Sequence, residues 1–460
     1  MISRDCIVIG AGFSGLQCAR RLHDAGLRVT VLEARDRIGG RTHVTELAGR
    51  TVDIGGQWIG AAHSELSNLA HQAGANVLPQ FADGAKLLHL DSGDRDRLKR
   101  YRGIIPNANP LALLELQRAI QKLSRAQRSL TLDAPWEADQ ASAWDHQTLE
   151  SWMRRHLRTR SGREIFDIAI RSVMTAEPGM LSFLGFLFYC ASNQNFEVLT
   201  SVTGGAQAAT VDGGMVQLAE WLAQPLVAAG EVHLQSPACA VKRAGNDWIV
   251  AAATGAEFRA PRVVCALPPA LQDRIAFEPA LPANRVQLAN RMPMGSVIKT
   301  VVAYDTPFWR GAGLSGEAVS HSLAFNTVFD ASPPTGEFGA LVGFIDGAPA
   351  RRWSAAAPDQ RRAAVLGGLV RYFGDAARHP IGYVEHDWIT DPWSRGCYVG
   401  LLTPGVLTEL GPALRSPCDG IHWAGTETAT EFCGYIEGAL RAGQRAANEV
   451  IGDSGERSTT

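Results

Sequence analysis

Apolar and polar positions change their rhythm several times along the chain, and each change marks an element. Cys6-Ile7-Val8-Ile9 is a short unbroken apolar run, the pattern of a strand buried on both faces. Gly10 to Gly15 interrupts it. Apolar residues then return at helical spacing from about Leu16 to Ala25, and Gly26 stops the helix. Arg28 to Glu33 reads as a second strand, so the chain opens with strand, turn, helix and strand on very short connections, the start of a βαβ unit. Leu111 to Ser129 carries Leu, Ala and Ile on one helical face and Arg, Lys and Gln on the other, and Leu149 to Met174 is a second helical region. Met180 to Ala191 is apolar all round, as a buried helix is. Residues 231–268 switch to strands at His233, Ala238–Lys242, Trp248–Ala252 and Arg262–Leu267, with turns at Gly245-Asn246 and Thr254-Gly255. Residues 296–347 again read as strands, including Val297–Tyr304 and Ala340–Ile345. A strand near His422-Trp423-Ala424 and an amphipathic helix from Ile436 to Ile451 close the chain. The Arg/Asp-rich stretch Asp94 to Arg102 reads as a solvated loop or hairpin. This alternation predicts an α/β domain interrupted by insertions that build a second domain.

Composition narrows the class. The 460 residues are 46% hydrophobic and 20% charged, ordinary for a globular chain and against disorder. Lys and Arg number 44 against 46 Asp and Glu, so the basic excess of a nucleic-acid binder is missing. The longest apolar stretch, Met180 to Ala191, is shorter than the roughly 20 residues a membrane-spanning helix needs. The N-terminal apolar run breaks into glycines where a signal peptide would end in a cleavage site. Eight cysteines at scattered spacings form neither a zinc pattern nor a disulfide framework. A cytoplasmic protein with no membrane, nucleic-acid or metal site is therefore expected. The 47 glycines fall at turns and in pairs, as where backbone must approach something closely.

Gly10-Ala11-Gly12-Phe13-Ser14-Gly15 fits G-x-G-x-x-G, follows a strand and opens a helix. Gly10 permits the tight turn, Gly12 lets a pyrophosphate reach the backbone, and Gly15 lets helix and strand pack. The helix start, with Phe13 and Ser14, offers free N–H groups to the pyrophosphate. Glu33, at the end of the second strand and followed by Ala34 and Arg35, is placed to accept ribose hydroxyls. These features indicate a dinucleotide and leave NAD and FAD both open.

The next motifs favour FAD. Gly39-Gly40-Arg41 and Gly55-Gly56-Gln57-Trp58 add two glycine pairs, and Ala424-Gly425-Thr426-Glu427-Thr428 is followed by Gly434-Tyr435-Ile436-Glu437-Gly438. Together they make the chain resemble the flavin-dependent amine oxidases, over nearly its whole length. The resemblance implies a glutathione-reductase-like FAD-binding Rossmann domain assembled from residues 1–75, 210–285 and 392–452. It also implies a substrate-binding domain of antiparallel sheet and helices from 76–209 and 286–391; residues 453–460 are expected to be a flexible tail. In this reading the glycine stretches wrap the cofactor, Ala238 meets the adenine through its backbone, and the helix beginning at Ile436 points its N-terminus at the flavin, where negative charge develops on reduction.

The same resemblance assigns the chemistry. Tyr398 and Tyr435 match the aromatic pair that holds a neutral amine before the flavin. Lys299, which interrupts the apolar strand Ser296–Val302, matches the lysine beside flavin N5. Burial would lower its pKa. Cys397, in Trp393-Ser394-Arg395-Gly396-Cys397-Tyr398, matches the cysteine bonded to the flavin 8α-methyl group, although Arg395 stands where the mammalian enzymes have glycine. Cys433 and Ile436 also depart from the mammalian pattern. Leu199 and Gln207 match substrate-cavity positions. The implied reaction oxidises a small-molecule amine to an imine, then aldehyde and ammonia, with O2 reduced to H2O2, in a homodimer. The alternatives are an L-amino-acid or natural-product amine oxidase, a flavoprotein dehydrogenase with another acceptor, and a non-catalytic FAD-binding scaffold. An amino-acid oxidase needs a cation for the substrate carboxylate, and a diamine oxidase needs an acid at the far end of the cavity; the sequence locates neither.

Overall fold

The computed structural model describes residues 1–91, 96–103 and 109–457. Five parallel strands form a first sheet in the order Val232–His233, Val29–Leu32, Cys6–Ile9, Val263–Cys265 and Ile421–Trp423. The unbroken apolar run Cys6–Ile9 is explained by what lies on either side. Cys6 and Val8 pack with the helices Phe13–Asp24, Val216–Ala228 and Ile436–Arg457, while Ile7 and Ile9 pack against a second sheet through Val241, Trp248 and Phe258. With both faces covered, neither can carry polar residues. The second sheet runs Ile2–Ser3, Glu257–Ala260, Asp247–Ala252, Ala238–Ala244 and Ala276–Glu278.

A third sheet has seven strands, in the order Gly382–Asp387, Val297–Tyr304, Gly339–Asp346, Thr327–Asp330, Leu314–Ser320, Ala85–Asp91 and Asp96–Tyr101. All its pairings are antiparallel except that of Leu314–Ser320 with Ala85–Asp91. Its register sets Lys299, Phe344, Thr327, Val319 and Leu88 side by side across five adjacent strands. The helices Pro110–Gln127, Leu149–His156, Arg160–Met174 and Phe183–Ser192 share a separate apolar core. Among the described residues, no helix is long and apolar enough to cross a membrane, and no group of three His, Cys, Asp or Glu could hold a metal ion.

Several elements differ from the sequence expectation. Leu149 to Met174 is two helices, Leu149–His156 and Arg160–Met174, because Thr159 caps the second by accepting from the Gly162 amide. Met180 lies in a 3-10 turn, and the apolar helix begins at Phe183 under a Ser182 cap. The strand Glu257–Ala260 was not among those expected, whereas Leu314–Ser320 and Thr327–Asp330 fall within the stretch 296–347 read as strands. Of the Asp94–Arg102 stretch, Asp96–Tyr101 forms the second strand of a hairpin with Ala85–Asp91, while residues 94 and 95 lie outside the described residues. The last helix runs to Arg457, so the expected flexible tail from Asp453 begins as helix. Residues 458–460 lie outside the described residues.

Candidate active site

The turn after Cys6–Ile9 is shaped by close approach. A Cβ on Gly15 would lie 1.9 Å from the Gly10 carbonyl oxygen, so only glycine lets the helix Phe13–Asp24 close onto the strand. The helix starts at Gly12 with no side chain capping its first amides. Those amides open into a deep cavity, as an anion-binding helix start requires. Gly40 comes so near Gly12 that a Cβ there would sit 3.1 Å from the Gly12 Cα. Glu33 is buried beside the turn and accepts from the amides of Ala11 (2.7 Å) and Arg35 (2.9 Å). The Gly425 amide donates to Ser14 Oγ at 2.8 Å, tying the C-terminal motif to the N-terminal one.

Every residue expected to bind cofactor or substrate or to take part in the chemistry lines this one cavity except Gly15 and Glu427. Gly15 serves the packing just described. Glu427 stands behind the wall: its carboxylate pairs with Arg41 at 2.7 and 3.1 Å and accepts from the Gly400 amide. The same Arg41 donates to the Tyr398 carbonyl at 2.7 Å. A carboxylate expected to touch the cofactor therefore fixes the backbone that carries Cys397 and Tyr398. That segment is held from the other side by Thr175, whose hydroxyl donates to the Cys397 carbonyl at 2.6 Å. Arg395 has a left-handed φ of 54°, which accounts for glycine being acceptable there; here its guanidinium bonds the Ala270 carbonyl and Asp273. Burial pushes the Cys397 thiol up to about 12.

Lys299 is 2% exposed. Its ammonium donates to the Gly55 carbonyl at 2.7 Å and to Gln57 Oε1, and lies 5.7 Å from the Phe344 ring centre. Burial pulls its pKa down, opposed by the nearby Asp53 carboxylate, which burial pushes up. Asp53 accepts from the Met215 amide at 3.0 Å. Tyr398 meets the Phe344 ring edge-on at 6.1 Å, and Tyr435 meets His63 edge-on at 5.2 Å. Burial raises both phenols, so each stays protonated at neutral pH.

Sequence reasoning missed Tyr189, Phe329, Phe344 and Asp53. Tyr189, Phe329 and Phe344 line the cavity; Asp53 acts on Lys299 from behind the wall. Tyr189 hydrogen-bonds Tyr435 and was signalled only by being the one tyrosine in the apolar helix Phe183–Ser192. Phe344 is opposite Lys299 in the sheet, a relation that nothing local encodes.

The cradle fits FAD: uncapped helix amides and the buried Glu33 carboxylate line the same cavity as a buried lysine and two tyrosines. Comparison with known proteins decides the family. The model of the flavin containing amine oxidoreductases matches residues 13–451. The chain belongs to that family. Membership brings oxidoreductase chemistry on amines with a bound flavin. The flavin-containing monoamine oxidase A of Dictyostelium discoideum is 36% identical over 449 residues, covering 97% of each chain. The flavin-containing amine oxidase B of Sus scrofa is 33% identical, covering 97% of this oxidase and 86% of its own chain. Among solved structures, a putrescine oxidase bound to putrescine superposes with a TM-score of 0.93 at 30% identity. The cyclohexylamine oxidase of Brevibacterium oxydans does so at 0.92 and 32%, and each alignment covers 98% of this chain and 99% of the other.

Proposed function

We propose that this oxidase binds FAD in the glycine cradle and takes its amine substrate, as the neutral free base, between Tyr398 and Tyr435. The observation that carries this reading is that both tyrosines and Lys299 line the cavity into which the cradle opens. The chemistry a bound FAD supplies is two-electron oxidation of the C–H bond next to nitrogen, with O2 as final acceptor and H2O2 as product. The chain's own groups do the rest. The first amides of Phe13–Asp24 meet the pyrophosphate, and Glu33 accepts the ribose hydroxyls. The start of Ile436–Arg457 favours negative charge on the ring. The two phenol rings wall the site with apolar faces and exclude water, and desolvation favours the neutral amine over its ammonium form. Lys299, fixed by Gly55 and Gln57, keeps a polar hydrogen beside the reacting end. The imine product is hydrolysed by water to an aldehyde and ammonia or a smaller amine.

The cations lining the cavity do not favour amino acids. Arg35 and Arg41 are committed to Asp391 and Glu427. Lys299 is bonded to Gly55 and Gln57, and Arg274 lies over the Trp393 ring. Anaerobic mixing with primary amines, followed by air, tests the activity: bleaching of the flavin band and recovery in air are expected. Bleaching that never recovers would assign a dehydrogenase instead.

The reading extends to a thioether between Cys397 Sγ and the flavin 8α carbon, supported by the thiol's place in the cavity wall. Acid precipitation should leave yellow colour in the pellet of the wild type and release it from Cys397→Ala; release from both removes the thioether. A cytoplasmic homodimer completes the proposal. Eight cysteines with no disulfide among them support the compartment, and light scattering reads the assembly.

A further inference from the structure

The far part of the cavity is walled by one face of the seven-stranded sheet. Lys299, Phe344, Thr327, Val319 and Leu88 form a single register row and all five line the cavity. Val319 is three strands from Lys299, about 14 Å at the usual strand spacing, and Glu317 lies two residues further along the same strand, about 7 Å away on the same face. Val319, Leu88, Ile165 and Ile168 make this end largely apolar; the Ser172 and Tyr101 hydroxyls are neutral, and Glu317 is its charged group. The Glu317 carboxylate pairs with Lys86 Nζ at 2.8 Å, the two side chains being 13% and 15% exposed. Glu317 lines the cavity, as does Tyr101, the register partner of Lys86. Charged groups are seldom placed in an apolar wall without a task, because their desolvation is costly even when paired.

We propose that the Glu317–Lys86 pair is a recognition point for a hydroxyl group at the distal end of a long amine substrate. The inference rests on the amine-oxidase reading, and names its substrate class. The pair is neutral as a whole. A distal ammonium attracted by Glu317 would meet the charge of Lys86, and a distal carboxylate attracted by Lys86 would meet Glu317. A hydroxyl carries one donor and two acceptor sites, so it can donate to the carboxylate and accept from the ammonium with no net charge. The distance from Tyr398, which touches Phe344 in the same row, requires an extended body between amine and hydroxyl. The apolar residues between the two ends suit an alkyl or aryl spacer.

The test uses the flavin-loaded enzyme with three matched series of increasing length: n-alkylamines, ω-hydroxyalkylamines and α,ω-diamines. A hydrogen bond to a charged group makes roughly a tenfold difference, so at one optimal length the hydroxyl should raise kcat/KM about tenfold over the plain alkylamine. In the double variant Glu317→Leu/Lys86→Met that ratio should fall to about one; being a ratio, it cancels any general loss of activity. In Lys86→Met alone the freed acid should move the preference at that length to the diamine. No hydroxyl advantage at any length, a wild-type preference for diamines, or a ratio that survives the double variant overturns the proposal. Oxidation of alkylamines without a hydroxyl advantage defeats this inference alone, whereas oxidation of none of the three series defeats the amine reading with it.

Discussion

Replacing Glu427 by glutamine removes one charge from a buried pair while keeping its size. Glu427 is 3% exposed, and its two oxygens meet Arg41 at 2.7 and 3.1 Å. One carboxamide oxygen can keep its bond to Arg41, but the new NH2 group faces the other guanidinium N–H, donor against donor. Leaving a buried charge without its partner costs about 3–5 kcal/mol. The Arg41 side chain is 23% exposed, so water screens part of that loss, and the retained bond returns about 1 kcal/mol. A net destabilisation of about 2–3 kcal/mol is expected. For a chain of 460 residues, with an unfolding entropy of about 1 kcal/mol/K, that is a fall of about 2–3 °C in melting temperature. The consequence should reach the chemistry, because Arg41 also holds the Tyr398 carbonyl at 2.7 Å. Glu427→Gln is therefore expected to lower kcat/KM for an amine as well as the melting temperature. Glu150→Gln is the control: Glu150 pairs with Arg154 on an exposed helix face, 45% and 72% accessible, where the loss is about 0.5 kcal/mol or less. If Glu427→Gln melts where Glu150→Gln does and keeps wild-type kcat/KM, Glu427 does not position Tyr398 and the reasoning fails.

Tyr435→Leu keeps an apolar wall and loses the aromatic face, about 1–2 kcal/mol, so kcat/KM should drop roughly 5- to 30-fold at unchanged flavin content; a drop below about twofold would show that the ring is packing only. Lys299→Met tests the buried lysine through pH. Burial holds its folded pKa below the ordinary lysine value. Between that lowered value and about 10.4 the unfolded chain therefore binds a proton the native chain lacks, and stability rises with pH through this window and is lost as pH falls through the folded pKa. The wild-type melting temperature should gain on that of Lys299→Met from neutral pH to about pH 10, and parallel curves would refute a depressed pKa.

What the sequence made legible was what its local chemistry demands. Gly10, Gly12 and Gly15 are readable because a turn, a phosphate approach and a helix–strand contact each need the missing Cβ within a few residues. Tyr398, Tyr435 and Cys397 were readable through motifs, since each sits in a short segment whose neighbours also serve the cofactor. Glu427 shows the limit of that route. Its motif marked it as belonging to the site, yet its role, holding Arg41 from behind, depends on a partner 386 residues away. The break between Leu149–His156 and Arg160–Met174 was missed because no glycine or proline marks it; the signal is a single threonine cap. The acid that a polar-ended substrate would require was invisible for a deeper reason. In Leu314–Ser320, Glu317 reads as an ordinary outward-facing residue, and Lys86 reads the same in Ala85–Asp91. Only the parallel pairing of these two strands, which are more than 200 residues apart, turns two apparent surface charges into one ion pair whose acid lies on the cavity wall. The register that fixes this pair also fixes its separation from Lys299. On the proposal made for that pair, the length of the preferred substrate would follow from how many strands lie between Lys299 and Glu317.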